Sequence, residues 1–288
     1  MKIRKAVITA AGKNQRSLPL QTLIDRDGHE KPVLHILVEH ALTGSIEEVC
    51  VITWPGDEER YLQTVPKFSG SVRFLPQTAP LGYGHAIHCA HPFTGDEPFL
   101  HMVGDHLYIS PTTQSCAQRL LEAAEAESCA ISAVQATRET VLHRYGTVGG
   151  RRNGARRDLY RVETVLEKPT PTEAEQHLIS PGLRAGHFLC FFGIHVLTPT
   201  VMETLGRKLA EQPSGGVTLS SALALVARQE QYLALEDPGR RYDIGSRYGL
   251  LTAQLALALG GPERPEVLAQ LLELLADREL AAAARSGQ

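Results

Sequence analysis

The stretch from Gln77 to Asp105 holds the residues whose types and spacing best suit a phosphorylated ligand. Pro80-Leu81-Gly82-Tyr83-Gly84-His85-Ala86 sets two glycines, Gly82 and Gly84, at the mouth of an amphipathic run, where backbone N–H groups can approach a ligand with no Cβ in the way. Phe99-Leu100-His101-Met102-Val103 then has the length and apolarity of a buried strand, and it stops at Gly104-Asp105. That leaves one carboxylate just past the strand's C-terminal end, where open α/β sheets bind their ligands. A second loop, Ala11-Gly12-Lys13-Asn14-Gln15-Arg16, follows the buried strand expected from Arg4 to Ala10 and offers a place for a triphosphate. Each feature alone also fits a plain β-to-α turn.

These residues need a scaffold, and the rest of the chain supplies one. Strands are predicted at Val49 to Thr53, Val72 to Leu75 and Cys129 to Ala136. Helical spacing occupies Val33 to Leu42, Asp57 to Val65 and Thr112 to Glu127. Strand alternating with helix implies a parallel sheet, so the expected class is α/β, with a doubly wound, mostly parallel sheet. The basic run Arg151-Arg152 to Arg156-Arg157 around Asn153-Gly154 reads as an exposed hairpin turn. Arg264 to Ala284 is an Ala- and Leu-rich helix with Leu268, Leu271, Leu272 and Leu275 on one face, suited to packing or to forming a homo-oligomer. The domain division expected is 1–260 for the main body and 261–288 for this helical extension.

Composition bounds the function. A chain of 288 residues can bury a large core, and a formal charge of -3 with 21% charged residues gives no basic footprint for nucleic acid. No apolar run reaches the ~20 residues of a membrane span. The short apolar stretch after Met1-Lys2-Ile3-Arg4-Lys5 has strand length, not that of a signal peptide. Five scattered cysteines, an odd number within apolar segments, fit reduced core residues and a cytoplasmic location. His85, His88 and His91 recur every three residues, with His101 and His106 flanking the central strand. That spacing spreads the rings around a helix, and no zinc-spaced cysteine or carboxylate accompanies them, so they read as structural.

Taken in order, Gln77, Leu81-Gly82-Tyr83-Gly84-His85-Ala86, Cys89-Ala90-His91-Pro92, Gly95-Asp96-Glu97-Pro98 and Asp105 resemble the central segment of the sugar-nucleotide pyrophosphorylases. The likeness is greatest to the bacterial UTP:glucose-1-phosphate uridylyltransferases, and it runs from Lys5 to about Leu259. Tyr145-Gly146-Thr147, Glu167-Lys168-Pro169 and Tyr242-Asp243-Ile244-Gly245 extend it. The resemblance implies a Rossmann-like nucleotidyltransferase fold with a small sugar-side lobe, and a nucleoside triphosphate and a sugar 1-phosphate as substrates. It implies Mg2+ on Asp105 and Asp243, with Gly245 opening a helix whose N-terminus points at phosphate. By the same resemblance, Ala11, Gly12, Gln77, Gly82 and Gly84 meet the nucleotide, and Gly146, Glu167 and Gly193 meet the sugar. Arg16 would hold the leaving phosphates and Lys168 the sugar phosphate.

Four departures qualify this expectation. Asn14-Gln15 stand where the family has Gly-Thr, Leu20 to Ile24 lack the lysine that follows Pro19, and no acids flank Thr218. His195 also replaces a bulky residue. Lys13 is the one added cation able to substitute for the absent lysine. The alternatives are therefore a homologue that binds a nucleotide sugar without turnover, or the same reaction on another base or sugar.

Overall fold

Ala6, Val7 and Ile8 are fully buried and alternate between two cores, Ala6 and Ile8 in one and Val7 in the other. A strand covered on both faces needs an unbroken apolar run, which is what these residues provide. The computed structural model describes residues 1–154 and 156–286, so the last two residues of the expected 261–288 extension lie outside the described residues. The strands in chain order are β1 (Lys5–Ala10), β2 (Thr22–Ile24), β3 (Glu30–Pro32), β4 (Glu48–Thr53), β5 (Val72–Pro76), β6 (Phe99–Val103) and β7 (His106–Ile109). There follow β8 (Ala130–Arg138), β9 (Gly146–Arg152), β10 (Leu159–Glu167), β11 (His187–Leu197), β12 (Tyr232–Glu236) and β13 (Arg240–Asp243).

Nine of them form one sheet in the order β5-β4-β1-β6-β11-β8-β12-β10-β9. The first four run parallel, with Val7 level with Cys50 and His101. Helices Val33–Ala41 and Cys116–Glu127 cover one face, while Tyr83–His88, Pro199–Glu211 and Leu219–Gln229 cover the other. The doubly wound α/β class holds. Parallel pairing, however, is concentrated in this first half: β11 enters antiparallel between β6 and β8, and β9 and β10 form an antiparallel hairpin beyond β12. Side chains alternate with period two in either pairing, so the apolar pattern of β11 carries no strand direction.

Two boundaries move for identifiable reasons. The helix expected from Thr112 starts instead at Cys116, because Ser115 caps it, its Oγ accepting from the Gln118 N–H at 3.1 Å. The helix expected to open at Gly245 starts at Gly249, because residues 243 to 246 are taken up by a turn in which Ser246 bonds back to Asp243. In the helix Arg264–Ser286, Leu268, Leu272 and Leu275 remain exposed, so this chain does not bury the leucine face. No described helix is long and apolar enough to cross a membrane, and all five cysteines are free.

A buried polar chain crosses the sheet. His195 Nδ1 lies 2.6 Å from Ser132 Oγ, which lies 2.6 Å from the Tyr232 hydroxyl, and His101 approaches His195 with ring centroids 5.8 Å apart. Burial pushes His195 down to about 3. Between that value and the ordinary imidazole range the unfolded chain binds the extra proton, so stability is full above about pH 6.5 and falls as pH drops below it. At about 1.4 kcal/mol per pH unit, denaturant titrations at pH 6.5 and 5 should show a loss of about 2 kcal/mol from this residue. His195→Gln should flatten that slope by a similar amount.

Candidate active site

A cavity of about 570 Å³ lies beside the C-terminal ends of β1 and β6. Its wall joins the two halves of the sheet. Ala11, Gly12, Lys13, Gln77 and Gly82 come from the parallel half and its loops, while Gly146, Glu167 and Gly193 come from β9, β10 and β11, and Lys168 directly follows β10. Asp105 lies in the same lining. The sequence expectation therefore brings most of its residues together, from segments far apart in the chain.

Asp105 and Asp243 converge through a short antiparallel ribbon of β7 and β13. Its register sets Asp243 opposite His106, and the Ile244 N–H donates to the Asp105 carbonyl at 3.0 Å. One ligand atom from each of Asp105, His106 and Asp243 lies within 4.8 Å of the others. The donor set, two carboxylates and an imidazole, fits a divalent cation. His106, read as structural from its spacing, thus belongs to the site. Its Nδ1 is 2.7 Å from Asp105 Oδ1, while Gln15 Nε2 donates to Asp105 Oδ2 at 2.6 Å. Burial alone would raise the Asp105 carboxyl, but the hydrogen bond and charge of His106, with the Gln15 amide, hold it below its ordinary value. Gln15 stood out in the sequence only as a departure in the first loop.

The glycine turn is built differently from the expectation. Gly82 lies in the cavity wall with φ 103, a conformation that disfavours any side chain, and its carbonyl accepts from Gln77 Nε2 at 3.0 Å. Gln77 is itself buried and also 2.9 Å from His85 Nδ1. Gly84 does not reach the cavity wall: its N–H donates to the Val217 carbonyl at 3.0 Å and is spent on the fold. A Cβ at position 84 would sit 2.6 Å from that carbonyl oxygen. Gly84→Ala is expected to destabilise the chain by about 2 kcal/mol through this overlap and the broken hydrogen bond, read as a lower denaturation midpoint.

Arg16 is also not brought to the cavity. Its Nε and Nη2 each lie 2.6 Å from the Asp57 carboxylate, a bidentate pair with the acid almost fully buried. Arg16 extends over Trp54 instead, its guanidinium carbon 5.6 Å from the ring centroid, and Trp54 lines the cavity. Asp57 precedes a one-turn helix, and nothing in its spacing from Arg16 announces the pairing. Of the first loop, Lys13 is the cation that reaches the cavity.

On the other side, Glu167 Oε2 accepts from Ser220 Oγ at 2.5 Å, and Lys168 follows with φ 50. A left-handed, non-glycine residue costs on the order of 1 kcal/mol and is held by its surroundings, here by the Lys168 N–H donating to the Tyr145 carbonyl at 3.1 Å. Gly193 has φ 94, and a Cβ there would meet the Tyr108 hydroxyl, which donates to the Gly193 carbonyl at 2.8 Å. Arg241 of β13 stacks 3.7 Å above the Tyr145 ring and donates to the Phe191 carbonyl, tying the ribbon that carries Asp243 to the wall that carries Gly146. Ser220 and Arg241 had no assigned role in the sequence reading. Their part depends on contacts between elements.

Comparison with known proteins bears on the family and the fold. The chain is 28% identical to the UTP--glucose-1-phosphate uridylyltransferase YngB of Bacillus subtilis (strain 168), covering 96% of this chain and 95% of that one. It is 28% identical to the UTP--glucose-1-phosphate uridylyltransferase 2 of Streptococcus pyogenes serotype M3, covering 95% and 96%. Among solved structures, a UDP-glucose pyrophosphorylase and a UTP-bound form, both from Acinetobacter baumannii, superpose with TM-scores of 0.73 and 0.71 at 24% identity, which supports the fold. They cover 94% of this chain and 99% and 98% of their own. The model of one family, described as nucleotidyl transferase, matches residues 5–259, and the chain belongs to that family.

Proposed function

We propose that this chain joins UTP to glucose 1-phosphate in the cytoplasm, giving UDP-glucose and pyrophosphate. A phosphate oxygen of the sugar phosphate attacks the α-phosphorus of UTP in line, the bond from that phosphorus to the bridging oxygen breaks, and pyrophosphate leaves. One observation carries the reading. A single cavity unites Gln77 and the Gly82 turn with Glu167 and Lys168, and Asp105 lies in the same wall. Relatives at 28% identity over nearly the whole chain, named for this reaction, support the choice of substrates.

Bound to Asp105 and Asp243, a divalent cation, Mg2+ in this reading, would neutralise charge on the triphosphate. The remaining work falls to the chain. Gln77 and the Gly82 backbone hold the base, Lys13 meets the phosphates from the first loop, and Lys168 holds the sugar phosphate. Glu167, fixed by Ser220, accepts from sugar hydroxyls. Arg16, committed to Asp57, positions the loop through its ion pair and not through phosphate.

A binding-only homologue has one observation in its favour: the Gln15 amide already occupies Asp105 Oδ2. Pyrophosphate release from UTP, glucose 1-phosphate and Mg2+ decides between the two. Steady turnover supports the enzyme. No turnover with UTP, dTTP, ATP or with other hexose 1-phosphates, beside measurable UDP-glucose binding, would defeat it.

A further inference from the structure

The reaction proposed above uses two carboxylates and leaves His106 without a part. Its position is nonetheless fixed. Asp105 immediately precedes β7, His106 opens that strand, and the register with β13 puts Asp243 directly across from His106. Directly opposed residues of an antiparallel pair project to the same face. The three ligand atoms fall within 4.8 Å of one another, and the His106 and Asp105 side chains are only 15% and 24% exposed.

We propose that this cation site is a mixed carboxylate–imidazole site in which His106 is a third ligand, and that it selects Co2+ over Mn2+ and Mn2+ over Mg2+. The proposal rests on the cation site of the preceding section but not on turnover. Mg2+ is a hard ion that favours oxygen ligands and retains its waters, so a nitrogen donor adds little to its binding. For first-row divalent ions an imidazole adds more, and affinity rises from Mn2+ to Co2+. The protons balance simply. The His106 Nδ1–H lies against Asp105 Oδ1, and a cation taking that place leaves a neutral ring with its proton on Nε2. A ring that starts protonated releases one proton. Gln15 meanwhile stays on the other oxygen and orients the carboxylate.

The rival role is positioning, with His106 holding Asp105 by a hydrogen bond and never touching the cation. His106→Asn separates the two, because an amide can keep the hydrogen bond and is a far weaker nitrogen ligand. Metal affinities are measured on the full-length chain without nucleotide, Co2+ by visible absorbance, Mn2+ by electron paramagnetic resonance, and Mg2+ by competition against Mn2+. The wild-type chain should bind Co2+ at least tenfold more tightly than Mg2+. The variant should lose about tenfold for Co2+ and change less than threefold for Mg2+. Electron spin echo measurements on the Mn2+-loaded wild-type chain should show coupling to a nitrogen, a readout independent of whether the variant folds.

Absence of that coupling, equal losses for all three ions, or failure of the wild-type chain to bind Co2+ more tightly than Mg2+ would each overturn the proposal. The two readings fail separately. Nitrogen coupling without pyrophosphate release would retain the metal site and remove the enzyme. Turnover with Mg2+ and no nitrogen coupling would do the reverse.

Discussion

Asp105→Asn is expected to lower kcat for pyrophosphate release by about a thousandfold, or roughly 4 kcal/mol, while Kd for glucose 1-phosphate changes little. Asparagine keeps the shape and one acceptor oxygen but removes the charge. Among the described residues this carboxylate is the one acid that both lines the cavity beside the first loop and belongs to the cation cluster, so its loss should be felt where charge develops on the leaving phosphates. The pH dependence carries a sign as well. His106 and Gln15 outweigh burial and hold the Asp105 carboxyl below its ordinary value, so it is ionised at pH 5 and above. Any acid loss of turnover near pH 5 to 6 must then come from another group, and it should persist in a Gln15→Ala variant. Rapid quench of the chemical step and a pH–rate profile on both proteins check this. A fall of less than tenfold in Asp105→Asn would remove the residue from the catalytic centre.

How far the site was legible depended on whether a residue's role is fixed by its own strand or by a partner. Asp105 was readable because a buried apolar strand ends at Gly104, and ligands gather at such ends. Gly82 was readable as a turn. Its neighbour Gly84 was not, since the two glycines look alike in sequence and only the Val217 carbonyl shows that one N–H is already engaged. Arg16 is drawn to Asp57, a partner its own segment does not announce, and His106 meets Asp243 only through the pairing of β13 with β7. The histidines spaced by three, His85, His88 and His91, stand outside the cation cluster, whereas His106 joins it from beside an aspartate. The sheet shows a similar limit. Burial on both faces of β1 is written in Ala6-Val7-Ile8, but the reversal of β11 is not written in its own residues.

Lys13→Ala is expected to reduce turnover by about a hundredfold, close to 3 kcal/mol of transition-state stabilisation, with the folded chain unharmed. Arg16 is committed to Asp57, and Lys31 is held by Asp25, Asp27 and Glu39 around the β2–β3 hairpin. Lys168 stands on the opposite half of the sheet, beyond Glu167. That leaves Lys13 as the cation of the first loop that lines the cavity, carried on an exposed turn where the Gln15 N–H bonds the Gly12 carbonyl at 2.9 Å. A charge on a flexible stem can follow phosphates from ground state to transition state, so the loss should appear mainly in kcat and less in the apparent affinity for UTP. Lys13→Arg should recover part of the rate because the charge returns, whereas Lys13→Gln should not. If Lys13→Ala retains full turnover, charge on the leaving phosphates is met by the bound cation and backbone N–H groups alone, and the altered first loop has dispensed with a lysine altogether.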